Sequence, residues 1–236
     1  MHSITKTILI RYSLFLFILL WLVSATYAQE SVCYGTTANG KLKHGVKLPS
    51  EGVNYVSYSK TAELLGRTYV HSKVKAIIVA SYQQLEAAMP QKVYKYAETG
   101  FKQGGKFSPH KTHQNGLSVD FMVPVINQQG QSTHLPTHYL NRLGYDIEFD
   151  RRGHYENYRI DYEALAAHLV YLHKAAIKQN VNLKRVIFAL ELQPFLLKTK
   201  YGSYIKQHIR LSTRPAWVRH DEHYHVDFDI PCVKNK

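Results

Sequence analysis

An α+β fold is predicted, one domain with a largely antiparallel central sheet flanked by helices and long loops. Three features of the sequence point to it. Apolar and polar residues alternate from Tyr224 to Ile230, as in a strand with one buried face. From Asp161 to Gln179 the apolar residues instead recur every three to four positions, as on a helix. No strict strand–helix–strand rhythm joins such segments, which argues against a parallel α/β sheet.

Residues 1–28 carry Lys6 and Arg11, an apolar stretch from Tyr12 to Val23, and Thr26-Tyr27-Ala28. This is the pattern of a secretory signal peptide. The apolar run falls short of the roughly 20 residues that a spanning helix needs, and an uncleaved anchor is the alternative. Glu30-Ser31-Val32 before Cys33 lacks the small residues of a lipid-attachment site. No later stretch is apolar enough to span a bilayer, so no stable membrane insertion is expected after cleavage.

Residues 29–236 then form the expected domain, of ordinary size and without repeats. Lys75–Ser81 reads as a strand, and Pro90–Glu98 as a short helix entered at its proline. Lys102–Pro109, with Gly104-Gly105, reads as a loop, and Leu117–Val123 as a strand. Tyr145–Phe149 and His154–Ile160 flank Arg151-Arg152-Gly153 as a hairpin. Asp161 caps a helix reaching about Gln179, with Leu165, Leu169, Leu172, Ala176 and Ile177 inward and His168 and His173 as packing or surface residues. Arg185–Leu192 is the next strand, Pro194 starts a short helix, and the final strand carries His223 and His225.

Cys33 and Cys232 lie near the two ends of the exported chain, where an oxidising compartment favours their pairing. The formal charge is +13, and loss of Lys6 and Arg11 with the signal peptide leaves +11. Such a surface seeks polyanions, and export favours an anionic envelope polymer over nucleic acid.

Two segments carry the chemistry, His113-Gln-Asn-Gly-Leu-Ser-Val-Asp120 and His220-Asp-Glu-His223-Tyr-His225. Imidazole and carboxylate suit zinc, and three protein ligands leave one position for water, which the metal makes nucleophilic near neutral pH. That chemistry points to a hydrolase. Along a strand His223 and His225 project to one side about 7 Å apart, so one can ligate while the other touches water or substrate. The Gln-Asn-Gly turn lets His113 fold back beside Asp120, placing the site on the sheet.

The fuller patterns His110-x-x-His113-Gln-x-Gly116-Leu-x-Val119-Asp120 and Trp217-x-x-His220-Asp-x-His223-x-His225-Val226 resemble those of penicillin-insensitive murein endopeptidases. Those enzymes belong to the zinc peptidase group that also holds lysostaphin-type enzymes, D-alanyl-D-alanine metallopeptidases and the hedgehog domain. Gly104-Gly105 and Arg67-x-x-x-His71 fit the same resemblance, whereas the segment from about Asn127 to Tyr158 is the least familiar.

The resemblance implies one Zn²⁺ per chain on His113, Asp120 and His225, with His223 acting at the water and His220 as proton carrier or oxyanion donor. His110 would stand behind the ligands and His71 at the cleft rim. It further implies a periplasmic enzyme acting on peptidoglycan, at the bond between D-alanine and meso-diaminopimelate. Two alternatives are a D-alanyl-D-alanine carboxypeptidase or dipeptidase and a non-catalytic zinc-containing wall-binding module. The sibling carboxypeptidase branch places a glutamate before a Trp-His pair, whereas Arg219 precedes His220 here.

Overall fold

The computed structural model describes residues 29–235, so the predicted signal peptide lies outside the described residues. In chain order the strands are β1 (Val32–Thr36), β2 (Asn39–Lys43), β3 (Val46–Lys47), β4 (Tyr55–Ser57), β5 (Tyr69–Val70), β6 (Tyr94–Tyr96), β7 (Ser118–Met122), β8 (Val125–Ile126), β9 (Ser132–Thr133), β10 (His154–Tyr155), β11 (Tyr158–Ile160), β12 (Asn182–Ile187) and β13 (His223–Asp229). The helices are α1 (Lys60–Leu64), α2 (Ser72–Ala88), α3 (Tyr162–Lys178), α4 (Gln193–Leu196) and α5 (Gly202–His208).

A five-stranded sheet in the order β12-β13-β7-β6-β4 forms the centre, antiparallel at every pairing except β4 with β6. The fold is therefore α+β and largely antiparallel, as the sequence predicts. Val119, Phe121, Tyr224, Val226 and Phe228 point to the face covered by α2 and α3, and all are buried with Ile77, Leu85, Leu165 and Leu169. Tyr224 hydrogen-bonds His168 of α3, whose ring stacks on Tyr82 of α2. His168 and His173 are thus packing residues, each held by a tyrosine hydroxyl. Among the described residues no helix is long and apolar enough to cross a membrane.

Several predicted elements need correction. Lys75–Ser81 lies inside α2, where Val74, Ile77, Ile78, Ser81, Tyr82 and Leu85 are buried at helical spacing. The run of β-branched residues mimics a strand, but tertiary burial of one helical stripe overrides that propensity. Pro90–Glu98 contains β6 instead of a helix, because Tyr94 and Tyr96 fit a half-buried pleat between β4 and β7.

Tyr145–Phe149 is not a strand. The hairpin pairs His154-Tyr155 with Tyr158-Arg159 and turns at Glu156-Asn157. Strand β12 begins three residues earlier than expected and ends at Ile187, since Ala189 already donates its amide to His220 beyond the start of β13. Helix α3 matches its prediction, with the Asp161 carboxylate accepting from Ala164 N at 3.0 Å. Ile177, expected inward, is 48% exposed. Pro194 sits in the first turn of α4.

Cys33 and Cys232 form a disulfide across a sequence separation of 199. Tyr34 of β1 also bridges to Val233, so both termini are tied to one ribbon. By chain entropy such a closure stabilises by about 5 kcal/mol. Reduction is expected to lower the melting temperature by about 10 °C or more. Peptide mapping without reductant should recover the linked pair, and free thiols at both positions would refute it.

A candidate metal centre and catalytic cleft

Antiparallel partners face the same way, so the register of β7 with β13 assembles the site. His225 lies opposite Asp120, Asp227 opposite Ser118, and His223 opposite Met122. These residues occupy the sheet face away from α2 and α3. A buried carboxylate is costly without partners, and Asp120 is fully buried. Its Oδ1 lies 2.8 Å from His225 Nδ1 and 3.3 Å from His113 Nε2. Its Oδ2 accepts from the Tyr145 hydroxyl at 3.1 Å and has His110 Nδ1 at 3.7 Å and His223 Nε2 at 3.8 Å. Burial opposes its ionisation, but His113 and His223 more than offset this and hold its pKa well below the usual carboxylate range.

His113 arrives from a loop rather than a strand. Its backbone is left-handed (φ 68°), and Gly116 after it packs so closely on Leu42 and the His71 amide that a Cβ would clash at 2.6 and 2.8 Å. The Gln-Asn-Gly turn therefore does fold His113 back beside Asp120. His113 Nδ1 lies 3.2 Å from the Thr99 carbonyl, which only accepts, so Nδ1 is the protonated nitrogen. Its Nε2 is buried and has no hydrogen-bond partner. His225 is fixed in the same sense, donating from Nε2 to Asp227 Oδ1 at 2.8 Å.

His113 thus turns its Nε2, and His225 its Nδ1, toward one oxygen of Asp120, so that three donor atoms of metal-ligating type converge. Donors of His110, His113 and Asp120 all lie within 4.8 Å of one another, a group able to hold a metal ion. His110, expected behind the metal ligands, thus belongs to this donor group itself. Burial disfavours the His225 imidazolium, yet Asp227 and Asp120 on either side raise its pKa to about 10.

His223 and His220 line the same cleft, with ring centroids 4.5 Å apart. His223 Nδ1 pairs with Glu222 Oε1 at 2.6 Å, leaving Nε2 for the cleft. Burial opposes its protonation, but Glu222 and Asp120 outweigh this and raise its pKa. His220 donates from Nδ1 to the Val218 carbonyl at 2.8 Å, and burial, reinforced by His223, lowers its pKa to about 4. Its backbone is left-handed (φ 58°), and its carbonyl accepts from Ala189 N at 2.9 Å. Arg219 pairs with Glu148, Glu191 and Asp221, and Asp221 accepts from Phe149 N.

The cleft encloses about 630 Å³, and Arg67, Glu98 and Trp217 complete its walls. Arg67 donates from Nε to both oxygens of Glu98 (2.9 and 2.8 Å) and lies 4.1 Å above Phe107. His71 is a correction: it is 3% exposed, does not line the cleft, and caps α2 by accepting from Lys73 N at 3.2 Å. Burial lowers its pKa, which suits an acceptor.

Sequence reading missed Tyr145, Glu222 and Asp227 as functional residues. Asp227 continues the polar alternation of β13 and Glu222 adjoins His223, so both carried a local signal. Tyr145 comes from the unfamiliar middle segment and carried none.

No individual curated protein matches this sequence. The family profile of penicillin-insensitive murein endopeptidases matches residues 33–236, nearly the whole chain and both histidine segments. The chain belongs to the penicillin-insensitive murein endopeptidase family.

Proposed function

We propose that the chain is an exported, periplasmic, zinc-dependent murein endopeptidase that hydrolyses the D-alanyl–meso-diaminopimelyl cross-link of peptidoglycan. The observation that carries this reading is the convergence of two imidazole nitrogens on one oxygen of a buried carboxylate, in the wall of an open cleft. His113, Asp120 and His225 would hold one Zn²⁺ per chain, with His110 close enough to join them. When bound, zinc supplies a Lewis acid that polarises the scissile carbonyl and acidifies water.

The chain's own residues divide the proton work. His223 Nε2 takes the proton of the attacking water, and Glu222 behind Nδ1 fixes the ring and steadies the resulting imidazolium. His220 is neutral at rest with its Nδ1–H committed to Val218, so its accepting Nε2 takes the water proton on from His223 and delivers it to the leaving amine. Tyr145 and Asp227 orient Asp120 and His225. The predicted signal peptide and the basic charge support an exported enzyme acting on an anionic wall.

The purified mature protein should convert cross-linked muropeptide dimers to monomers, stop with a chelator, and ignore β-lactams. The indifference follows because β-lactams acylate a nucleophilic serine, whereas this chemistry forms no covalent enzyme intermediate. Activity on intact sacculi should fall with added salt more than activity on soluble dimers. Mass spectrometry of the products decides. Intact dimers with release of D-alanine from pentapeptides would favour a carboxypeptidase, and tight sacculus binding with no cleavage a wall-binding module.

A further inference from the structure

We propose that a second groove, opening from the side of the cleft, is an anion subsite that takes free carboxylates of the peptide substrate; this rests on the murein-peptide reading above. The groove encloses about 920 Å³ and shares Arg185, Ile187 and Ala216 with the cleft, so the two are continuous. Lys184, Arg185, Arg210 and Arg214 line it, and its one acidic residue is Asp227. That carboxylate is buried and already committed, accepting from Ser118 Oγ and His225 Nε2 at Oδ1 and from Arg185 at Oδ2. Lys184, Arg210 and Arg214 are exposed, and no ion pair among the described residues uses them. Arg219, close by, shows the contrast with three carboxylate partners.

The cations stand on a rigid frame. Segment 210–212 runs parallel along the edge of β12, with Val186 N donating to Arg210 O (2.9 Å) and Ser212 N to Val186 O (2.8 Å). Gln193 Nε2 donates to Ser212 O, and Ser212 Oγ to Arg214 O. A bulge between Leu183 and Arg185 lets both Lys184 and Arg185 line the groove despite being adjacent on a strand. The backbone that carries these cations is fixed before binding, and guanidinium pairs carboxylate in a planar, two-bonded geometry.

Most surface cations are only solvated. This set is concave, almost free of acids, and opens onto the site where the peptide bond would lie. Murein stem peptides bear several free carboxylates, and one of the two cross-linked strands must leave the cleft along some wall. The groove offers the complementary one.

The test uses the zinc-loaded mature protein and its Lys184→Gln/Arg210→Gln/Arg214→Gln variant, which leaves Arg185 and Asp227 in place. Two dimers are compared, one with free carboxylates and one with those groups amidated. The unaltered protein should prefer the free acid in kcat/KM by about tenfold, and the variant should show a ratio near one. A second arm measures binding of a soluble muropeptide monomer with free carboxylates by calorimetry, where the variant should lose about tenfold in affinity. A preference that persists in the variant, no preference in the unaltered protein, or equal monomer affinity overturns the subsite. If neither dimer is cut, the endopeptidase reading fails and the calorimetry alone decides the groove.

Discussion

Asp120→Ala is expected to empty the metal centre and abolish hydrolysis. Zinc content should fall from about one per chain to a small fraction of that, and turnover by more than about a thousandfold. One oxygen of Asp120 faces both His113 Nε2 and His225 Nδ1, and the other accepts from Tyr145. Removing the carboxylate leaves those groups buried without their common partner, so a stability loss of about 3–5 kcal/mol should accompany the change. Asp120→Asn separates the effects: it keeps the shape and the Tyr145 contact but not the charge, and should fold better while still losing most of the metal. Elemental analysis with thermal melts measures both, and full zinc retention in the two variants would refute the ligand assignment. His110→Ala and His225→Ala, assayed alongside, decide which imidazole completes the set. The expected result is that His225→Ala loses the metal and His110→Ala loses less.

His223→Ala is expected to keep the fold and the metal yet lose about a hundredfold or more in kcat, the usual loss of a general base. Its Nε2 lies 3.8 Å from Asp120 Oδ2, while Glu222 engages its Nδ1 at 2.6 Å. A base steadied in that way predicts a graded series. Glu222→Gln should retain zinc and lose about tenfold, because the amide still orients the ring but no longer stabilises its charged form. The loss should be small once His223 is already absent, since residues acting as a unit are not additive. Zinc loss in His223→Ala together with zinc retention in His225→Ala would exchange the two roles.

How far the site could be read in advance depended on sequence distance. The His113–Asp120 block and the His220–His225 block each declare themselves through spacing, because a turn and a strand are local objects with fixed periods. The two-residue period of β13 already puts His223 and His225 on one face. Nothing local could say that His225 sits opposite Asp120, since register is a property of two strands 105 residues apart. The same holds for Tyr145, which reaches Asp120 from a segment with no regular element at that position.

His71 fails for the opposite reason. It stands in a familiar motif, but its imidazole is used to cap α2, a role that depends on where the helix begins. Residues 75–81 mislead for a related reason, since a short apolar run fits either period until the burying surface is known.

By itself the sequence determined the donor types, their order along the chain, the long capped helix from Asp161, the two cysteines and the basic charge. Those are properties of residues and of short windows, where local conformation dominates. Only the tertiary structure decided which nitrogen of each histidine is free, which carboxylates stand behind them, and that a cationic groove joins the cleft. Each of these is fixed by a partner distant in sequence. Burial then makes the pairing obligatory, because a polar atom removed from water must find its hydrogen bond or charge wherever the fold supplies it.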